Sequence, residues 1–211
     1  FEELLAMLDG NVDAYVFVSS IMAYEPSGVM PWIEAQSQTS DPITTYGGFK
    51  AHAERAILER FATTGFPGSI ARPAAIYGPE NNIHDMETAM FLRLRRELPI
   101  LLPHEGLVTT SYGHVDDLCR NLLEMAQLPA AIGEVVNITG QGCSARAFTQ
   151  TLAQIVGVEP EIIELPTDFT QEKPIYGHLF GVKHHGILSV AKAASLGLTV
   201  ERGFLSGYTQ T

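Results

Sequence analysis

Tyr46 and Lys50 stand four residues apart in Tyr46-Gly-Gly-Phe-Lys50, and Ser20 ends the run Tyr15-Val-Phe-Val-Ser-Ser20 upstream of them. On a helix, positions i and i+4 project from one face, about one turn apart. A phenol beside an ammonium is favoured in its charged form, because the positive neighbour stabilises the phenolate. A serine hydroxyl delivered from a nearby strand end would complete a site for moving a proton at a substrate oxygen. The same residues also admit a plainer reading, as a helix-surface pair and a strand-end hydroxyl.

The elements that must hold these groups alternate between strand and helix. Residues 14–19 form a short apolar, β-branched and aromatic run suited to a buried parallel strand. Residues 25–44 are rich in Pro, Ser, Thr and Gly and read as a loop. A helix is predicted from about Thr45 to Thr63, with Ala51, Ala53, Ala56, Ile57 and Phe61 near helical spacing, broken by Gly65-Phe-Pro-Gly68. Ser69-Ile-Ala-Arg-Pro73 is the next strand, running into a turn-rich exit, Ala74-Ala-Ile-Tyr-Gly-Pro79. Further helices are predicted at 86–97, from His114 to about Gln127, from a Ser144 cap to about Val156, and from Ser189 to Leu196. Strands are predicted at 100–102, 135–138 and 160–165. This rhythm belongs to a doubly wound α/β sheet.

At 211 residues the chain suits one domain, or one domain and a small lobe. Its net charge of −11 argues against a general nucleic-acid surface, which needs clustered Lys and Arg. Cys119 and Cys143 stand alone and fit neither a zinc spacing nor a disulfide scaffold. His178 and the pair His184-His185 lack a carboxylate or cysteine at ligand spacing, so no metal site is expected. Asp116-Asp117 reads as a helix cap rather than an acid/base pair, and no apolar run reaches the roughly 18 residues of a membrane span. With no signal segment at its start either, the chain is expected to be soluble and cytoplasmic.

Several stretches, in shared order and spacing, resemble one family. Val16-Phe-Val-Ser-Ser-Ile-Met-Ala-Tyr24, the Tyr46/Lys50 helix and Arg72-Pro-Ala-Ala-Ile-Tyr-Gly-Pro79 carry most of the likeness. His114-Val-Asp-Asp-Leu118, Gly133-Glu-Val-Val-Asn137 and Ala191-Lys-Ala-Ala-Ser-Leu-Gly197 extend it. Together they are similar to the extended short-chain dehydrogenase/reductases, the NAD-dependent epimerase/dehydratase family. Residues 96–103 and 177–181 resemble the branch containing the chloroplast stem-loop-binding proteins and related bacterial proteins.

The resemblance implies a fold made of the C-terminal part of a Rossmann-type doubly wound sheet plus a small α+β substrate lobe. Residues 1–80 would be a partial Rossmann domain carrying the triad. Residues 81–211 would be mainly the substrate-binding lobe, with some segments returning to the Rossmann sheet. It further implies Tyr46 as general acid or base, Lys50 as its electrostatic partner and ribose ligand, and Ser20 as hydrogen-bond donor to the reacting oxygen. Ser19, Tyr46, Lys50, Pro73, Ala74, Ala75 and Ile76 would line the cofactor, and Met22, Asn81, Asn82 and His114 the substrate. NAD or NADP is the cofactor expected of the complete family member, and this chain by itself could bind none. The implied activity is that of an epimerase or reductase at a sugar or nucleotide-sugar hydroxyl or carbonyl. A non-catalytic or RNA-associated protein of the same fold is the alternative. A homodimer through the Tyr46–Lys50 helix is also implied.

Departures from the family pattern sharpen these expectations. No glycine-rich dinucleotide loop is present, and Thr139-Gly-Gln-Gly142 lacks the third glycine and lies far downstream. With βαβ units of roughly 30 residues, the missing part is on the order of 90 to 100 residues. The chain, which opens at Phe1 in what reads as the end of a helix, is therefore expected to be a fragment or a product of truncation. Thr110 stands where nucleotide-sugar epimerases place a diphosphate-binding arginine, and a hydroxyl cannot replace a bidentate guanidinium. Ile21 and Met22 replace the acidic pair of sugar 4,6-dehydratases, which disfavours dehydratase chemistry.

Overall fold

A computed structural model describes residues 1–81, 86–166 and 185–209. Three strands, β1 (Tyr15–Val18), β2 (Gly68–Pro73) and β6 (Val135–Ile138), form a parallel sheet in the order β1-β2-β6. Phe17 lies opposite Ile70, and Ile70 opposite Val135. Successive side chains point to opposite faces, and both faces are covered. On one side Phe17 and Ile70 join Leu5, Ala53, Ile57 and Phe66 beneath helices α1 (Glu2–Leu8) and α2 (Tyr46–Thr64). On the other, Ala71, Val136 and Ile138 pack with Met125, Ala193 and Leu198, from and beside helices α4 (Val115–Gln127) and α6 (Ala191–Ser195). Burial of both faces explains why β2 reads as a continuous run rather than an alternating one.

Local chemistry sets the limits of α2. Thr45 caps its start by accepting from the Gly48 amide at 3.0 Å, and Gly65, at φ +75°, ends it in the left-handed region. At Gly68 a Cβ would sit 2.6 Å from Ile57 Cγ2, so the glycine lets α2 lie close on β2.

A second core gathers Tyr77, Met90, Leu94, Leu102, Tyr112, Phe148, Leu152 and Tyr208. It is built from α3 (Met86–Arg95), α5 (Ala145–Val156) and α7 (Phe204–Thr209) with two small sheets. In one sheet β5 (Thr109–His114) runs parallel to β3 (Ala75–Tyr77) and antiparallel to β7 (Gly142–Ser144). In the other, β4 (Ile100–Pro103) pairs in parallel with β8 (Ile162–Leu165). The architecture is the expected mixed α/β one, with the sheet continued by a mixed lobe.

Among the described residues, three strands and one α-helix differ from the sequence reading. The turn-rich exit after Pro73 contains β3, and β5, β7 and α7 had no counterpart. β5 is polar in composition, and its pairing with Ala75–Tyr77 and Gly142–Ser144 creates its burial. A pattern of local hydrophobicity carries no trace of such partners.

Candidate active site

The first turn of α2 abuts the short 3-10 turn Ile21–Ala23 that follows β1. Gly47 and Gly48 make this approach possible. A Cβ on Gly47 would overlap the Met22 carbonyl oxygen, and one on Gly48 the carbonyls of Asp41 and Pro42. Tyr46 and Lys50 are thereby set beside the strand end that carries Ser19 and Ser20. Lys50 Nζ donates to the Val18 carbonyl at 2.7 Å, 4.9 Å from the Phe17 ring centre and 5.5 Å from that of Tyr46. Burial pushes the Lys50 ammonium below its ordinary pKa, and the Glu54 carboxylate partly offsets this. Tyr46 is 62% exposed, so its ring is open to an incoming molecule.

The two serines face different tasks. Ser19 Oγ donates inward to Glu54 Oε1. Ser20 is buried and caps the 3-10 turn, its Oγ accepting from the Met22 amide at 3.1 Å. Accepting that bond leaves the Ser20 hydroxyl its own proton to donate. Pro73 ends β2, and Ala74 leads into β3 while packing against the Tyr24–Trp32–Leu188 cluster. Ala75 and Ile76 lie in β3 opposite Tyr112 and Gly113. Ser20 and Pro73 thus both mark the carboxyl ends of parallel strands, where open α/β sheets bind ligands.

The residues expected at the substrate are more dispersed. Met22 is 58% exposed on the turn after Ser20. Asn81 Nδ2 donates to both Glu87 carboxylate oxygens, at 3.0 and 2.9 Å. Asn82 lies outside the described residues, as do His178 and His184. His114 is only 1% exposed and is the N-cap of α4, its Nδ1 accepting from the Asp116 amide at 3.1 Å. It therefore takes the capping place foreseen for the aspartates. Asp117 instead accepts from the Glu201 and Arg202 amides and from Arg120. Thr110 sits in β5 opposite Cys143.

Sequence reasoning missed a buried polar network behind the serines. Glu54 accepts from Ser19 Oγ, Gln38 Nε2 and the Arg72 Nε and Nη2 groups. Arg72 also lies over the Tyr24 ring at 4.2 Å, and Tyr24 donates to Asn137 Oδ1 at 2.7 Å. Burial opposes the Arg72 charge, but Glu54 and Tyr24 outweigh it and raise the guanidinium pKa. A signal for this network exists in the sequence. Glu54 is one helical turn beyond Lys50 among the apolar positions Ala53 and Ile57, and Arg72 interrupts a buried strand.

A parallel sheet covered on both faces, with polar groups gathered at its carboxyl edge, defines a Rossmann-type α/β protein. The NAD dependent epimerase/dehydratase family model matches residues 3–139, and the chain belongs to that family. It is 29% identical over 173 residues to the chloroplast stem-loop binding protein of 41 kDa b from Arabidopsis thaliana, covering 80% of this chain and 44% of that protein. It is 28% identical over 127 residues to a dTDP-L-rhamnose 4-epimerase from Burkholderia thailandensis, covering 57% of this chain and 35% of the relative. Among solved structures, a UDP-glucose 4-epimerase from Thermotoga maritima, with UDP-glucose, superposes with a TM-score of 0.79 at 23% identity. That match covers 99% of this chain and 65% of the other. A dTDP-glucose 4,6-dehydratase from Bacillus anthracis, in complex with NAD, gives a TM-score of 0.81 at 18% identity, covering 99% and 63%. The chain thus spans less than half the length of these curated relatives and under two thirds of these solved chains.

Proposed function

We propose that this chain carries the proton-transfer part of an NAD(P)-dependent epimerase or reductase acting on a sugar or nucleotide-sugar hydroxyl or carbonyl. The observation that carries the reading is the Lys50 ammonium, held by the Val18 carbonyl at the carboxyl end of β1, two residues before Ser20, and 5.5 Å from the Tyr46 ring centre. Tyr46 gives or takes the proton at the substrate oxygen. Lys50, having three donors of which one meets Val18, keeps others for a ribose hydroxyl. Ser20 donates its free proton to the reacting oxygen. The nicotinamide, when bound, supplies hydride exchange, and the protein supplies position and electrostatics.

The residues present fit the nicotinamide-ribose end of such a cofactor, through Lys50 and the β2–β3 junction. A pyrophosphate favours an open helix N-terminus. The starts of α2, α4 and α5 are each closed by their own caps, Thr45, His114 and Ser144. Substrate class follows the relatives: a rhamnose nucleotide epimerase in one case, a UDP-glucose epimerase in another.

Titrating NAD(H) and NADP(H) into the protein tests the reading. Binding is expected, with Tyr46→Phe lowering turnover by about a hundredfold or more while leaving binding intact. Failure to bind either nucleotide would sink the proposal. RNA association is a second reading, favoured by the Arabidopsis likeness and opposed by the net charge of −11. It requires retention of a stem-loop RNA at low salt that Tyr46→Phe does not disturb.

A further inference from the structure

We propose that Glu54 is a positioning residue, whose carboxylate, through Ser19 and Arg72, ties the ends of β1 and β2 to the helix carrying Tyr46 and Lys50. Glu54 is fully buried and takes four hydrogen bonds from three other segments. Two come from Arg72 on β2, one from Ser19 at the end of β1, and one from Gln38 in the loop between β1 and α2. A carboxylate receiving two parallel bonds from a guanidinium is held in plane as well as in place, so the geometry is directional. Ser19 immediately precedes Ser20, and Pro73 immediately follows Arg72. The residues next to Glu54's partners are thus the ones that would face substrate and cofactor.

The same carboxylate acts on Lys50 one turn away. Groups facing Lys50 are Tyr46 and Glu54 on its own helix, and the Phe17 ring and Val18 carbonyl on β1; Arg72 on β2 reaches it through Glu54. Glu54 favours the charged ammonium against the effect of burial. One buried side chain therefore sets where Ser20 lies and how readily Lys50 keeps its proton. The catalytic meaning of this arrangement rests on the function proposed above, but its physical content can be measured without cofactor or turnover.

Hydrogen exchange and lysine NMR on this chain provide the test. The Met22 amide reports on Ser20, because it donates to Ser20 Oγ. Ser19→Ala is expected to speed exchange at Met22 by about tenfold, the order of one lost hydrogen bond, while amides of β2 and β6 keep their protection. Gln38→Ala removes a bond to the same carboxylate but not the strand tie, so Met22 should exchange as in the parent. Glu54→Gln should also move the Lys50 titration to lower pH, followed at Cε among only four lysines. Unchanged Met22 exchange in Ser19→Ala, equal acceleration across β2 and β6, or the same rise in Gln38→Ala would overturn the proposal. An unchanged Lys50 titration in a folded Glu54→Gln protein would overturn its second half. If Glu54→Gln does not fold, the Ser19→Ala and Gln38→Ala pair still decides the positioning role. A protein that fails to bind NAD(P) yet shows this exchange pattern would refute the function and keep the positioning.

Discussion

His114 and the Glu54–Arg72 pair show how much depends on single buried polar groups. Burial pushes the His114 imidazole below its ordinary pKa of 6.5; Arg202 adds to this, while Asp116 and Asp117 oppose it. Its unfolded form thus binds a proton at higher pH than its folded form. The sign follows: the stability contributed by neutral His114 is complete above about pH 6.5 and is lost as pH falls toward the folded pKa. His114→Asn keeps a side-chain acceptor at the cap, so urea unfolding of this variant should weaken less between about pH 7.5 and about pH 5 than that of the parent. The ion pair makes a larger demand. Arg72→Met leaves the Glu54 carboxylate buried without its guanidinium, and should cost about 3–5 kcal/mol by urea denaturation. Adding Glu54→Met to that variant should recover part of the loss, because two apolar groups of fair volume remove the unpaired charge.

At the scale of elements, the start of α2 is the joint on which the site turns. Ordinary propensity says that Gly→Ala in a helix stabilises by about 1 kcal/mol. At Gly48 the new methyl would meet the backbone carbonyls of Asp41 and Pro42, which cannot swing aside as a side chain could. Gly48→Ala should therefore lower stability by about 1–3 kcal/mol, read from the urea midpoint, rather than raise it. Thr45→Ala is expected to cost about 1 kcal/mol through the lost cap, in the same measurement. Most of this joint was legible beforehand. Thr45, Tyr46 and the break at Gly65 placed α2 within a residue at each end, and β6 was read with its observed bounds. β5 was not legible, because Thr109-Thr-Ser-Tyr-Gly-His is neither an apolar run nor an alternating one. Its identity comes from β3 and β7, at remote positions in the chain.

Across the whole molecule, two helices share an outer face. Phe1 meets Phe49 edge-on at 6.0 Å, and Arg60 pairs with Asp9, so α1 and its flanking residues lie along α2. Leu4, Met7 and Phe61 remain exposed on these helices at 45%, 73% and 38%. Covering such surface favours association at about 25 cal/mol per Å² of apolar area. Sedimentation velocity should accordingly show concentration-dependent self-association that Met7→Glu reduces; a clean monomer at high concentration would contradict it. Among the described residues no helix is long and apolar enough to cross a membrane.

By itself the sequence determined the family, the alternation of strands and helices, and the serine, tyrosine and lysine that the proposed chemistry needs. Those features depend on local spacing, caps and short apolar runs, which neighbouring residues are enough to specify. Only the tertiary structure decided which polar groups stand behind them. Glu54 and Arg72 are ordinary charged residues until α2 folds onto β2 and removes both from water. Once buried, the two must satisfy each other, with Ser19 and Gln38 completing the bonds to the carboxylate, because an unpaired charge there would be too costly to keep. The Tyr46–Lys50 pair is written in a single helical turn, whereas its support is assembled from three segments that meet only in the fold.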